Sequence, residues 1–270
     1  MIVDLIDHEY KQEDGRYGVT SMLNGVKEIV LKRRHWNEIE VDASAQINTL
    51  FGQAFHSMME INDKRDDKEK KIEYAITPEF TISGKYDMKD GFVLEDYKTT
   101  KVAKWIKQDF EDYRKQGLMY AWIERKNGRY VDKVRFYLFF KDFAKQRWNQ
   151  EGYPEKQIET YEFEVKTSDI EEIESYIISK MEAILEANKL KDDDIPPCTP
   201  SERWNDGDKF AVMKQGAKRA SAVYDNRIEA ERALSNGYYI EVRKGEDFKC
   251  DNYCEVKEFC NYWLSQHGGK

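Results

Sequence analysis

Three charged residues near the middle of the chain have types and spacing that could support metal-dependent chemistry. Asp87 ends one predicted strand, and Asp96 and Lys98 lie two residues apart at the end of the next. Side chains two apart on a strand share a face, so a hairpin would bring all three together. Two carboxylates suit Mg²⁺ or Mn²⁺, and the ammonium could orient a water and offset charge developing on a phosphate. The alternative is a weak pair of solvent-facing charges at ordinary strand ends.

Two predicted helices carry further polar residues at helical spacing. Gly52, His56 and Glu60 recur at every fourth position and so share one helix face, where the imidazole can bind a metal ion and the carboxylate can support it. A single histidine on a helix would more often be structural. Gln116 and Tyr120 lie one turn apart and could contact a nucleotide or brace the catalytic lysine, although Tyr120 could equally be a core residue.

This ordered combination resembles the PD-(D/E)xK nuclease superfamily, and within it the RecB-type branch. That branch has a Gly-x-x-x-His-x-x-x-Glu helix, an Asp at a strand end, an (Asp/Glu)-x-Lys motif and a Gln-x-x-x-Tyr helix. The matching residues are, in order, Gly52, His56, Glu60, Asp87, Asp96, Lys98, Gln116 and Tyr120. The resemblance implies a restriction-endonuclease-like fold. It also implies metal binding by His56, Asp87, Asp96 and the backbone carbonyl of Tyr97, with Glu60 as a ligand or a residue supporting one.

All four cysteines lie in the last third of the chain, at Cys198, Cys250, Cys254 and Cys260. An even number permits disulfides, but those suit small secreted domains. Four thiolates also suit a tetrahedral Zn²⁺ or an iron–sulfur cluster, and spacing alone does not choose between them. AddB-type and CRISPR-associated adaptation nucleases of the same branch carry one distant and three clustered cysteines around a [4Fe–4S] cluster. The resemblance therefore implies such a cluster here, with Zn²⁺ as the alternative. Two departures are the C-x3-C spacing, one residue longer than usual, and the position of Cys198 after the nuclease motifs.

Hydrophobic patterning predicts the elements that must position these residues. The expected class is α/β (α+β), a mixed sheet flanked by helices and followed by a helical, cysteine-bearing subdomain. A capping box that starts at Ser168 predicts the start of one helix. The charge run and Pro-Pro pair at 192–197 predict a boundary, with a nuclease core at 1–194 and a subdomain at 195–270 packed on it. Strands are predicted at 71–77, 79–88, 92–98, 134–140 and 160–165, and helices up to residue 34, at 45–62 and at 102–124.

Composition limits the classes of function without choosing one. The chain has 270 residues, is 36% charged and carries a formal net charge of −8, which argues against coating nucleic acid through its whole surface. A nuclease would instead need a local basic track, which Lys101, Lys104 and Lys107 could form beside Lys98, unless they are only a solvated helix face. Trp105 among them could stack on a single-stranded base or pack in the core. Acids near the N-terminus and the lack of a long apolar run lead us to expect a soluble, cytoplasmic protein without a membrane partner.

The expected function is a Mg²⁺- or Mn²⁺-dependent DNA exonuclease in recombination, repair or phage DNA processing. Its partner would be DNA with free ends or single strands, and an oligomer or a recombination partner is possible. One alternative is a CRISPR spacer-acquisition nuclease with the same chemistry. The others are a non-catalytic DNA-binding module of the same fold, and an iron–sulfur redox carrier, for which nothing else in the sequence argues.

Overall fold

The computed structural model describes residues 13–40, 47–65 and 67–268. Its chain divides into two compact units. The first combines the residues before Gly25 with Glu40–Glu186, and the second combines Gly25–Ile39 with Ala187–Lys270. An N-terminal helix, α2 (Val26–Arg34), therefore belongs to the second unit. These two units do not have the same bounds as the predicted domains at 1–194 and 195–270, which stay a prediction.

A mixed six-stranded sheet forms the centre of the first unit. Five strands follow the order β1-β3-β4-β5-β6, and β2 pairs with the other edge of β3. The β1–β3 and β4–β5 pairs are parallel and the others antiparallel. This mixed sheet with flanking helices confirms the predicted fold class and is consistent with a restriction-endonuclease-like fold. The strands are β1 (Arg16–Gly18), β2 (Lys68–Thr77), β3 (Phe80–Asp90), β4 (Val93–Thr100), β5 (Lys133–Phe140) and β6 (Ile158–Glu164).

The helices of this unit pack on a sheet whose apolar residues alternate. On β5, every second residue from Val134 to Phe140 is buried, as expected of a strand with one face toward a helix layer. A Cβ on Gly117 would lie 2.7 Å from Val134 Cγ1, so this glycine lets a helix approach the strand closely. The helices are α1 (Val19–Met22), α3 (Ile47–Asn62), α4 (Val102–Lys107), α5 (Glu111–Lys126) and α6 (Thr167–Ala187).

The β3–β4 hairpin is paired only near its turn. Gly91, with φ of +57°, makes the predicted turn, and the ladder joins Met88–Asp90 to Val93–Glu95. Closer to its start, β3 pairs with β1 instead, at Thr81–Ser83. Within the described residues, no ladder pairing joins β3 and β4 beyond Met88 and Glu95. The two strands therefore part at Asp87, where polar side chains can occupy the space between them.

Two details of the predicted helices are wrong. The helix expected at 102–124 is two helices, because Gln108 adopts a left-handed conformation with φ of +51° and ends α4. The capping box is displaced by two residues: α6 begins at Thr167, so Lys166 and not Ser168 is the N-cap, and Asp169 accepts a hydrogen bond from the backbone N–H of Lys166. The apolar residues of α3 are largely uncovered, with Phe51, Met58 and Ile61 exposed. The expected start of α3 at residue 45 lies outside the described residues.

The second unit contains a sheet that was not predicted. Strands β7 (Lys209–Lys214), β8 (Ala222–Tyr224) and β9 (Tyr238–Arg243) form an antiparallel sheet in the order β8-β7-β9. The helical subdomain expected after residue 194 is therefore wrong in part, since its helices are short: α7 (Arg227–Arg232), α8 (Phe248–Asn252) and α9 (Asn261–His267). Strands of three to six residues give too few alternations to be recognised from sequence. Across the described residues, no helix has both the length and the apolar character needed to cross a membrane.

Candidate active site

His56 and Asp87 meet where β3 and β4 part. The Nδ1 atom of His56 lies 2.9 Å from Asp87 Oδ1, and the backbone N–H of Tyr97 donates a 2.6 Å hydrogen bond to Asp87 Oδ2. Asp87 is 8% exposed, while the histidine is one-third exposed. The hydrogen bond to Asp87 raises the pKa of His56 against the opposing effect of burial. One buried carboxylate thus links helix α3 to both strands of the hairpin.

Asp96 and Lys98 lie on one face of β4, as predicted. Lys98 Nζ is 2.7 Å from Asp96 Oδ2, in an ion pair whose carboxylate is 4% exposed. That oxygen is buried, and within the described chain it has no hydrogen-bond partner of normal geometry. Burial raises the pKa of Asp96 to about 6, and the Asp87 carboxylate adds to this effect, whereas the Lys98 ammonium opposes it. A bound divalent cation would reduce the electrostatic repulsion between such closely spaced, desolvated carboxylates.

Glu69, which the sequence analysis missed, completes a group of possible metal ligands with His56 and Asp87. One ligand atom from each of these three side chains lies within 4.8 Å of the other two. Among the described residues, Asp96 is not a member of this group. Its charge nevertheless helps to raise the pKa of His56, and the charge of Asp87 helps to raise the pKa of Asp96. Glu69 lies in a run of nine charged residues at 63–71, which hid the start of β2. The position of that strand opposite β3 is the signal that could have found it.

Gln116 and Tyr120 are both buried, and Tyr120 contacts the backbone of β3. Gln116 Nε2 donates a 3.0 Å hydrogen bond to the Tyr120 hydroxyl, which in turn donates at 3.1 Å to the carbonyl oxygen of Lys85. The predicted contact with a nucleotide or with the catalytic lysine stays a prediction. The pair fastens α5 to the strand segment two residues before Asp87. We therefore treat both residues as positioning residues.

Other candidates from the sequence lie apart from this group. The side chain of Glu60 is exposed, and its backbone carbonyl accepts a hydrogen bond from Lys68. Glu95 is on the opposite face of β4 from Asp96, where it contacts Arg65 and Arg135.

The predicted basic track is only partly present. Lys101 precedes α4 instead of lying on it, and Lys104 pairs with Asp112 at 2.9 Å while lying 4.5 Å from the centre of the Tyr113 ring. Trp105 packs against Phe110 and Phe140, with ring centroids 6.0 Å apart in both cases. The core role for Trp105 therefore fits the structure better than stacking on a base.

The four cysteines are free thiols in the second unit. Burial raises the pKa of Cys250 and of Cys254 to about 12, and neighbouring cysteines add to both shifts. Burial also raises the pKa of Cys198, with Cys260 among the contributing charges. The thiols are therefore close enough to act on one another electrostatically. A Cβ on Gly25 would lie 2.3 Å from Cys198 Sγ, so the glycine leaves the space that this sulfur occupies.

Comparison with known proteins gives structural neighbours only. No protein-family model matches the chain, and no curated protein matches it. The structure is similar to SSO0001 with a TM-score of 0.46 at 15% identity, covering 66% of this chain and 81% of that one. It is also similar to the alkaline exonuclease LHK-Exo from Laribacter hongkongensis, with a TM-score of 0.42 at 12% identity over 65% and 90% of the two chains. A phage-related exonuclease from Haemophilus somnus gives 0.40 at 12% identity over 63% and 93%. At TM-scores below 0.5, these likenesses establish neither an activity nor a substrate for this chain.

Proposed function

We propose that this chain is a metal-dependent nuclease that hydrolyses phosphodiester bonds in DNA. The observation that carries the proposal is the convergence of His56 and Asp87 beside the buried Asp96–Lys98 pair, at the point where β3 and β4 part. Three elements supply these residues, so the arrangement depends on the fold and not on one local motif. An imidazole, two buried carboxylates and one ammonium together can bind a divalent cation and a phosphate.

The donor set fits Mg²⁺ or Mn²⁺. Asp96 Oδ2 is buried beside the Lys98 ammonium, which lies 2.7 Å away, and a buried carboxylate oxygen of this kind is a suitable ligand for a divalent ion. His56, Asp87, Asp96 and the carbonyl of Tyr97 would hold the ion. When bound, it would supply Lewis-acid activation of the phosphate and of the attacking water. Because Mn²⁺ accepts imidazole more readily than Mg²⁺ does, the histidine favours Mn²⁺.

The chain's own residues perform the remaining tasks. Lys98 carries a positive charge next to the carboxylates, where it can donate to a phosphate oxygen and offset charge that develops there. The Tyr97 N–H fixes the carboxylate plane of Asp87. Gln116 and Tyr120 hold the preceding segment of β3 in place through the carbonyl of Lys85. The site is thus held by hydrogen bonds that do not themselves involve the substrate.

Exonuclease action on DNA with free ends or single strands is the specific activity that we propose. Two of the structural neighbours are named exonucleases, and a second structure of LHK-Exo contains dAMP. These names concern those proteins, and they agree with the class that the site supports. Recombination, repair or phage DNA processing is the proposed context.

We propose further that Cys198, Cys250, Cys254 and Cys260 hold a [4Fe–4S] cluster, with Zn²⁺ as the alternative. A tetrahedral Zn²⁺ with bonds of about 2.3 Å requires sulfurs only ~3.8 Å apart. Among the described residues, no three of these sulfurs lie within 4.8 Å of one another. A cluster in which each thiolate binds a different iron spaces its ligands more widely.

The test is degradation of end-labelled linear DNA, with covalently closed circular DNA as a parallel substrate. Wild-type protein, prepared without oxygen, is expected to degrade the linear form with Mn²⁺ or Mg²⁺ and to spare the circle. Lys98→Ala should lower the rate by at least about 100-fold, and Lys98→Met, which keeps the side-chain volume, should do the same. Lys214→Ala is the matched control because its side chain is exposed at the end of β7 and is not part of the candidate site or of the predicted basic track.

The outcomes separate the possibilities. Cleavage of linear DNA that disappears in both Lys98 variants, with their folding intact, would support the proposal. Cleavage of the circle would support a nuclease but contradict exonuclease action. If folded wild-type protein binds DNA and cleaves neither form with either metal, the non-catalytic binding module replaces the nuclease.

A further inference from the structure

Glu69 faces Asp87 across an antiparallel ladder. The register pairs Lys68 with Met88 and Lys70 with Tyr86, so Glu69 lies opposite Asp87, although these two residues themselves form no ladder pair. Like charges at directly opposed positions destabilise a sheet. The Glu69 side chain is only 12% exposed and Asp87 only 8%, so solvent screens their repulsion poorly. Two opposed carboxylates, that of Asp87 buried and that of Glu69 only slightly exposed, need a positive partner between or beside them.

The backbone at Glu69 is held in a conformation that glutamate rarely adopts. Its φ is +50°, in the left-handed region, inside an otherwise extended strand. For a residue other than glycine, this conformation costs roughly 1–2 kcal/mol. The twist interrupts the alternation of β2 and coincides with the approach of the carboxylate to Asp87 and His56. A glycine or an asparagine would adopt this backbone conformation at lower cost. The presence of glutamate therefore indicates that its carboxylate has a role at this position.

Two nitrogen-bearing side chains lie near Glu69. The first is Lys85 on β3, which forms an ion pair with the Glu69 carboxylate. Lys85 is half exposed, so its ammonium can move into solvent at little cost. The second is His56, whose imidazole is hydrogen-bonded to Asp87. Neither side chain can contact all of these oxygens at once. A divalent ion is compact and can bind the three converging ligand atoms together with the neighbouring Asp96 oxygen.

We propose that Glu69 is a ligand of the active-site metal ion, together with His56 and Asp87, and that Lys85 is the cation it exchanges for the metal. This inference rests on the proposed function, because it concerns the metal of the same site. It assigns the acidic ligand to β2 in place of Glu60 on α3. The helix, β2 and β3 then each contribute one ligand to the ion.

The experiment measures Mn²⁺ binding without DNA, by isothermal titration calorimetry and by the loss of the free-ion paramagnetic resonance signal. Glu69→Gln is expected to weaken Mn²⁺ binding by about 10- to 100-fold. Glu69→Gly should weaken it equally while leaving thermal stability unchanged or higher, because glycine relieves the strained φ. Glu73→Gln is the matched control: it lies on the same strand and pairs with Arg16, but its carboxylate is outside the site.

Lys85→Met provides the complementary test. Removal of the competing ammonium should strengthen Mn²⁺ binding in the wild-type background. In the Glu69→Gln background the same change should have little effect, because the residue with which Lys85 competes is gone. A double-mutant cycle with a clear coupling between the two positions is therefore expected.

The failure of this inference differs from the failure of the proposed function. If wild-type protein binds Mn²⁺ and cleaves DNA, but Glu69→Gln and Glu69→Gly bind Mn²⁺ as Glu73→Gln does, Glu69 is not a ligand and the nuclease stands. If Glu69→Gly is both less stable and normal in Mn²⁺ binding, the carboxylate serves only the ion pair with Lys85, and the inference is overturned. If wild-type protein neither binds Mn²⁺ nor cleaves DNA, both fall together.

Discussion

The ring of Tyr120 occupies the space that a side chain on Gly84 would need. An ideal Cβ on Gly84 would lie 2.4 Å from Tyr120 Cε1 and 3.1 Å from Cδ1. This close approach lets the Tyr120 hydroxyl reach the carbonyl of Lys85, the next residue on β3. The absence of a side chain at one position thus sets how closely α5 lies against the strand that carries Asp87.

Gly84→Ala is expected to destabilise the protein by about 1–3 kcal/mol, because the new methyl group must displace a buried aromatic ring. Displacement of Tyr120 also removes its hydrogen bond to β3, so nuclease activity should fall together with stability. Chemical denaturation followed by circular dichroism measures the first effect, and degradation of linear DNA measures the second.

Gly52→Ala is the control for Gly84→Ala. Gly52 lies in α3, and its nearest neighbour, Thr99 Oγ1, would be 3.8 Å from an added Cβ, an ordinary contact distance. Alanine in a helix is favoured over glycine by about 1 kcal/mol, so this change should be neutral or stabilising. Equal effects of the two substitutions would contradict the steric account.

Lys27→Met is expected to destabilise the second unit by roughly 3 kcal/mol. Lys27 is 1% exposed, and its ammonium donates to the carbonyls of Asp192 and Ile195 and to Asn261 Oδ1 at 3.0, 2.8 and 2.6 Å. Methionine keeps most of the volume but leaves these acceptors without the donor. The free energy of unfolding from urea titration checks the prediction.

Lys32→Met on the same helix is the matched comparison. Its ammonium pairs with Glu255 at a partly exposed position, where a salt bridge contributes at most about 1 kcal/mol. If Lys27→Met were as mild as Lys32→Met, the buried lysine would not be fastening the chain around Asp192 and Asn261.

Stability should depend on pH through His35 and Asp192. The Nε2 atom of His35 lies 2.7 Å from Asp192 Oδ2, and this hydrogen bond raises the pKa of His35 above its ordinary 6.5. Burial alone would raise the pKa of Asp192, but hydrogen bonds from His35 and Arg34 outweigh it and lower that pKa below 3.8. The His35 contribution is therefore complete below pH 6.5 and is lost as the pH rises through its raised pKa. The Asp192 contribution is lost only as the pH falls below 3.8.

His35→Gln makes this window measurable. The difference in thermal midpoint between wild type and His35→Gln should be largest near pH 5–6 and should shrink by pH 9, since only the charged imidazole gains from Asp192. The expected contribution is at most about 1 kcal/mol because both side chains are partly exposed. A difference that stays constant from pH 5 to 9 would mean that His35 acts only through its stacking on Phe259.

The residues of the candidate site that could be predicted are those on regular elements. Asp96 and Lys98 follow from the two-residue period of β4, and the turn at Gly91 follows from its hairpin signal. His56 follows from four-residue spacing on α3, and its meeting with Asp87 is a tertiary contact that only the family resemblance implied. Each of these predictions used a local rule that the fold obeys.

The features that were missed break such rules. Glu69 combines a run of charges with a positive φ, so neither alternation nor propensity marks the start of β2. Gln108 divides the predicted helix through a left-handed conformation that its residue type does not signal. The three-stranded sheet of the second unit rests on pairing between residues far apart in sequence, such as Ala211 with Glu241. Local patterns do not contain that information.

Gly25→Ala tests whether the second unit is built around a group held by its cysteines. Gly25 has φ of −65° and ψ of 148°, a conformation that alanine adopts without strain, so a steric effect can be isolated. The added Cβ would lie 2.3 Å from Cys198 Sγ and 2.9 Å from its Cβ. We expect Cys198 to be displaced and the metal bound by four thiolates to be lost or weakened.

The measurement is metal content per chain, by plasma mass spectrometry for iron and zinc, with visible absorption recorded on anaerobically purified protein. Wild type and Gly52→Ala should contain equal amounts of iron, and Gly25→Ala should contain less, with a stability loss of about 1–3 kcal/mol. Zinc in place of iron would support the alternative ion at the same cysteines. Loss of stability without loss of metal would show that Cys198 packs at the start of α2 but is not a ligand, because a bound sulfur cannot move away from Gly25 and keep its metal.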